Sequence, residues 1–145
     1  MRAPLFILVL IMALLPAVAG KDESVDELKK RAEAAKVEDQ PPLCSEIAQR
    51  QLDVADKLYT DGKVEEARAA IDDVVKYSGQ ASAAAVKTGK HLKHTEIAIR
   101  KMAERLRTIR HSLAFDDQPP VQDAADRLES MRNDLLSRMF SKGSK

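Results

Sequence analysis

His91 and His94 stand three positions apart, a spacing that lets two imidazoles on one helical face reach a single metal ion. Glu96 is close by in sequence but on another face, no Asp, Glu or Cys completes the ligand set at helical spacing, and the HExxH pattern is absent. His111 would stand about 25 Å away along a straight helix. The reading is therefore no resident metal, with His91 and His94 as solvent-exposed helix decoration; a metal site shared between copies is the alternative. Cys44 is the single cysteine, without a CxxC partner or a haem-attachment motif. It follows a Pro-Pro helix start, where a helix N-terminus can lower a thiol pKa. No orienting base is placed near it by sequence. Two readings stay open for Cys44, buried packing and an intermolecular disulfide in an oxidising compartment.

The strongest charge feature is a basic segment: Lys87, Lys90, Lys93, Arg100, Lys101, Arg105, Arg107 and Arg110 against Glu96 and Glu104. Such a face can meet anionic lipid headgroups, cell-wall polymers or an acidic partner. No aromatics are interleaved for base stacking, so nucleic acid is not the expected partner. The segments before it are acidic, with Asp53, Asp56, Asp61, Glu65, Glu66, Asp72 and Asp73. Intramolecular charge balance is the alternative to an outside partner. No Ser-His-Asp set, glycine-rich phosphate loop or paired-carboxylate pocket can be assembled. The expectation is a non-enzyme with no cofactor and no small-molecule substrate.

The elements that would carry these side chains are helices. Ala, Leu, Glu, Lys and Arg dominate, the residues that cost least in a helix. The start of the chain reads as an export signal over 1–19. Arg2 supplies a positive charge, 5–15 is an unbroken apolar run, and Pro16 precedes Ala17-Val18-Ala19, a small-residue cleavage site. The apolar run is shorter than the roughly 20 residues a membrane span needs. Cleavage after Ala19 leaves a chain in which Tyr59, Tyr77, Phe115 and Phe140 are the only aromatic residues. A thick core is then not expected. Helices packed along narrow seams of Leu, Ile, Val and Ala are. Losing Arg2 takes 24 basic residues to 23, equal to the 23 acidic ones, which argues against a whole-chain polyanion binder.

Ser24 and Glu27 form a capping-box pair opening a short helix to about residue 36, in an N-terminal helix and linker over 20–40. Asp39-Gln40-Pro41-Pro42 stops it and starts a second helix to about residue 60. Thr60-Asp61-Gly62 is a tight connection, Gly62 being able to take a left-handed conformation. An alternating three-four step then runs from Val64 through Ile71, Ser78, Ala85, Leu92, Ile99 and Leu106 to Leu113 without losing phase. That phase predicts one helix over 63–113, about 75 Å long. Gly79 and Gly89 oppose it, each costing about 1 kcal/mol, and leave a bend or a break near Ser78-Gly79 as the alternative. Asp117-Gln118-Pro119-Pro120 repeats the earlier helix-start device and opens a last helix to about residue 140, before a flexible tail at 142–145.

The predicted fold is all-α: an elongated bundle within 41–141, with the second and last helices folded back along the two halves of the long one. The small-sided waist between them carries Ala81, Ala84 and Ala85, which allow close helix approach and are the candidate partner-binding residues. Ala55, Leu58, Tyr59, Gly62, Glu66, Ala67 and Ile71, in ADKLYTDGKVEEARAAI, give the hairpin at about 45–75 a pattern that resembles a tetratricopeptide-type repeat. No second copy is present. The resemblance implies packing by helix pairs and peptide or protein binding.

The functional expectation is an exported protein, periplasmic or extracellular and bacterial, acting through protein–protein interaction or self-association as an envelope adaptor, scaffold or chaperone-like factor. The alternative is a peripheral binder of anionic membrane or cell-wall surfaces through the basic face 87–110.

Overall fold

The computed structural model describes residues 23–141, and every regular element among them is helical. The signal read at 1–19 and the tail at 142–145 lie outside the described residues. Helix α1 spans Val25–Ala34, α2 Gln40–Thr60, α3 Val64–Thr88, α4 Leu92–Ser112 and α5 Gln118–Ser141, with short 3-10 turns at Val37–Asp39 and Phe115–Asp117. The chain is an all-α helical bundle, as the composition implies.

Local chemistry sets the helix starts. The Glu27 N–H donates to Ser24 Oγ at 3.2 Å and the Ser24 N–H donates to Glu27 Oε2 at 3.3 Å, so the capping box is complete. Leu28 and Ala32 of this helix join the common core. The repeated Gln-Pro-Pro is one device used twice. Gln40 Nε2 donates to the Ala35 carbonyl at 3.3 Å, and Gln118 Nε2 donates to the Leu113 carbonyl at 3.1 Å. In each case the acceptor belongs to the residue that ends the preceding helix. The glutamine thus satisfies an orphan carbonyl while its prolines occupy a first turn, where no intrahelical N–H is needed.

The single long helix over 63–113 is not formed. Helix α3 ends at Thr88, and Gly89 (φ 71°) and His91 (φ 59°) both take left-handed backbone before α4 begins. The break falls at Gly89, not near Ser78-Gly79. The Thr88 hydroxyl donates to the Ala84 carbonyl at 2.8 Å and accepts the Lys90 N–H at 3.2 Å, which closes the turn. The seam itself is correctly placed. Ala67, Ile71, Val74, Ser78, Ala81, Ala85, Thr95, Ile99, Met102, Leu106 and Ile109 are all buried. A three-four alternation specifies a buried stripe, not an unbroken axis. Two helices facing one core keep the same stripe when their connection preserves the count.

The turn at residues 89–91 changes the architecture. Helices α2 and α3 form an antiparallel hairpin, tied by Gln51 Nε2 to Asp73 Oδ2 at 2.7 Å. Helices α4 and α5 form a second, tied by Arg107 Nη2 to Glu129 Oε2 at 3.3 Å. The hairpins stack with α3 beside α5 and α2 beside α4. Residues Arg68 and Asp117 at one end, and Arg138 and Val86 at the other, show that α3 and α5 run in the same direction. The longest element is α3, 25 residues, about 37 Å. A rod of twice that length is replaced by a folded four-helix arrangement with α1 laid across α2 and α3.

Candidate functional site

The small residues of α3 divide between two faces. Ala81 and Ala85 are fully buried and Ala84 is 5 % exposed. Their methyl groups permit close packing inside the bundle, so the waist expected to meet a partner is covered by the protein's own helices. The face of α3 that stays open holds Gly79, Ala83 and Val86. With Met131, Asp134 and Arg138 of α5 these line a surface groove of about 560 Å³. A second depression of about 300 Å³, between Val75 of α3 and Pro120 and Arg127 of α5, continues it toward the start of α5. A Cβ added at Gly79 would meet Met131 Cε at 3.5 Å, an ordinary contact, so the glycine marks where α5 comes up against α3.

Half of the basic face is neutralised within the fold. Arg105 bonds Asp53 and Asp56 of α2, the second at 3.1 Å. Lys90 Nζ meets Glu38 Oε2 at 2.8 Å, Arg100 lies 3.6 Å from both Glu96 and Glu104, and Arg107 reaches Glu129. Arg110 donates to Gln122. Lys90 holds the Glu38 carboxyl below the usual range, chiefly through their hydrogen bond. Arg132, and after it Arg107, does the same for Glu129 against the opposing effect of burial. Among the described residues Lys87, Lys93 and Lys101 are exposed without an ion pair. The acidic and basic halves of the sequence therefore meet each other across the bundle.

His91 sits in the interhelical turn and His94 in the first turn of α4, both exposed. Among the described residues no group of three or more His, Cys, Asp or Glu side chains is gathered as a metal site. Cys44 is 1 % exposed, with Sγ 3.8 Å from Gln80 Oε1. Burial pushes its thiol pKa up, opposite to what a helix start would do. An intermolecular disulfide has no accessible sulfur here.

Two features escaped the sequence reading. Glu96, read as an acid within the basic segment and off the histidine face, is 8 % exposed and accepts Arg132 Nε at 2.8 Å, fastening α4 to α5. Helix α5 also carries Asp123, Arg127, Asp134 and Arg138 along the groove. Their four-residue pairing was visible as Asp-x-x-x-Arg written twice; that both pairs border one open groove was not. Compared with known proteins, the chain matches no family model, no curated protein and no solved structure.

Proposed function

We propose that this protein is a non-enzymatic, exported adaptor or scaffold that works by docking a helical surface onto the α3–α5 groove. Export rests on the charge, apolar run and small-residue site at 1–19. The docking reading rests on one observation: an open groove of about 560 Å³ between α3 and α5 is lined by Gly79, Ala83, Val86 and Met131. Small and flexible apolar groups of this kind accept a helix at close range. A photo-crosslinking amino acid placed at exposed Ala83 should capture a protein in living cells, and one placed at exposed Thr108 on α4 should not. Adducts from neither position would overturn the reading.

The anionic-surface alternative has less support. Four of its eight basic side chains pair with carboxylates inside the fold and Arg110 bonds the neutral Gln122 amide, leaving Lys87, Lys93 and Lys101 without a partner among the described residues. Cosedimentation with anionic vesicles at low and high salt tests it, salt-sensitive binding being the outcome that would restore it.

A further inference from the structure

We infer that the occupant of the α3–α5 groove is a second copy of this chain, docked antiparallel about a two-fold axis that crosses the groove at Met131 and Gly79. The inference rests on the docking reading above and names its partner. The observation behind it is the order of charges on α5. Asp123 and Arg127 form an i,i+4 pair at 3.0 Å whose side chains are 65 % and 62 % exposed, and Asp134 and Arg138 repeat that order along the same groove. At 100° per residue all four project within about 60° of one another, on the groove side of the helix. Reversing a helix about the midpoint between Ser130 and Met131 sets Asp123 opposite Arg138 of the other copy, and Arg127 opposite Asp134. Every charge on the stripe meets its opposite, and each contact occurs twice, as an isologous interface requires.

The apolar parts agree with the same axis. Because α3 and α5 run in the same direction and Gly79 lies level with Met131, the operation also lays α3 antiparallel on its own copy. Val75 then comes opposite Ser82 and Ala83, large against small, and Gly79 comes opposite itself at the closest approach. A parallel arrangement about an axis along the groove would instead set α5 on α3, whose groove lining is charged only at Asp72 and Lys76, and would leave Asp134 and Arg138 without opposite charges. A face about 36 Å long and two helices wide offers on the order of 700 Å² per copy, which falls in the range of a standard specific interface.

The test uses charge reversal and mixing. Light scattering of the purified protein across a concentration series should show a dimer that persists in reductant. Arg127→Asp and Asp134→Arg should each weaken self-association by about tenfold or more, since each sets like charges opposite one another twice. An equimolar mixture of the two variants restores both contacts and should dimerise like the parent. A loss of folding could not be repaired by mixing. Wild-type protein that is monomeric at all concentrations, or variants that stay monomeric when mixed, would overturn the inference. The docking reading is judged separately by the Ala83 adduct: a product of twice the chain mass supports self-docking, a product of another mass rejects the second copy but keeps the groove, and no product rejects both.

Discussion

Arg105 of α4 bonds Asp56 of α2 at 3.1 Å, joining residues 49 positions apart in the chain. On a continuous helix over 63–113 the arginine would lie in the distal half, far from anything α2 could reach. The contact exists because the left-handed residues Gly89 and His91 turn α4 back beside α2. The basic segment and the acidic segment are thereby neighbours, and much of the surface charge is paired within the molecule.

Small-angle scattering separates the two shapes. A compact chain of this length should have a radius of gyration of about 14 Å at dilutions where it is monomeric. A rod about 75 Å long would exceed roughly 20 Å. A value near the larger figure in dilute solution would contradict the folded-back α4.

The turn should be sensitive to side chains at its left-handed positions. Gly89→Ala places a Cβ where φ is 71°, and should cost about 1–2 kcal/mol in urea unfolding. His91→Gly relieves the strain at φ 59°, and should be neutral or stabilising by up to about 1 kcal/mol, the freer unfolded chain offsetting part of the gain. If both glycine-to-alanine and histidine-to-glycine changes leave the midpoint unmoved, the chain does not turn at these residues.

Which parts of this molecule could be read from sequence follows from how local their causes are. Ser24 with Glu27, and Asp61-Gly62, act within one turn, and both behave as their residue types imply. The buried stripe from Ala67 to Ile109 was legible because helical periodicity is a local property. Its direction in space was not, since three residues at 89–91 decide whether one stripe serves one helix or two. The burial of Ala81 and Ala85 and the opening at Gly79 and Ala83 both depend on where α5 lies. That placement is a consequence of the same turn. Gln40 and Gln118 were visible as a repeat, but their role needed the position of a carbonyl five residues earlier.

Cys44 should behave as a core residue. Its thiol should react slowly with an aromatic disulfide reagent in the native protein and fast in denaturant, because it is 1 % exposed and its pKa is raised by burial. Cys44→Ala should lower stability by about 1–2 kcal/mol through lost packing, without changing the oligomeric mass. Rapid native labelling, or a mass that depends on reductant, would place the sulfur at the surface.

Acid should loosen the bundle first where carboxylates join helices. Glu129 is held below the usual carboxyl range by its hydrogen bond to Arg132, with Arg107 adding to it, and Glu38 is held there by Lys90. A carboxyl that is more acidic folded than unfolded stabilises the folded chain at every pH above its unfolded value, about 4.3 for glutamate. That contribution is lost as pH falls through the folded value. The thermal midpoint should therefore be nearly flat between pH 7 and pH 5 and decline below about pH 4.5. Lys90 acts in the opposite sense, since its raised value makes its contribution present at neutral pH and lost only on strong alkalinisation. Glu129→Gln removes the α4–α5 pairing to Arg107 and the pairing to Arg132 within α5. It should lower the midpoint at pH 7 and make the acid decline shallower, whereas Glu38→Gln, at an exposed pair with Lys90, should do less of both. Parallel acid curves for the parent and Glu129→Gln would show that other carboxylates carry the loss.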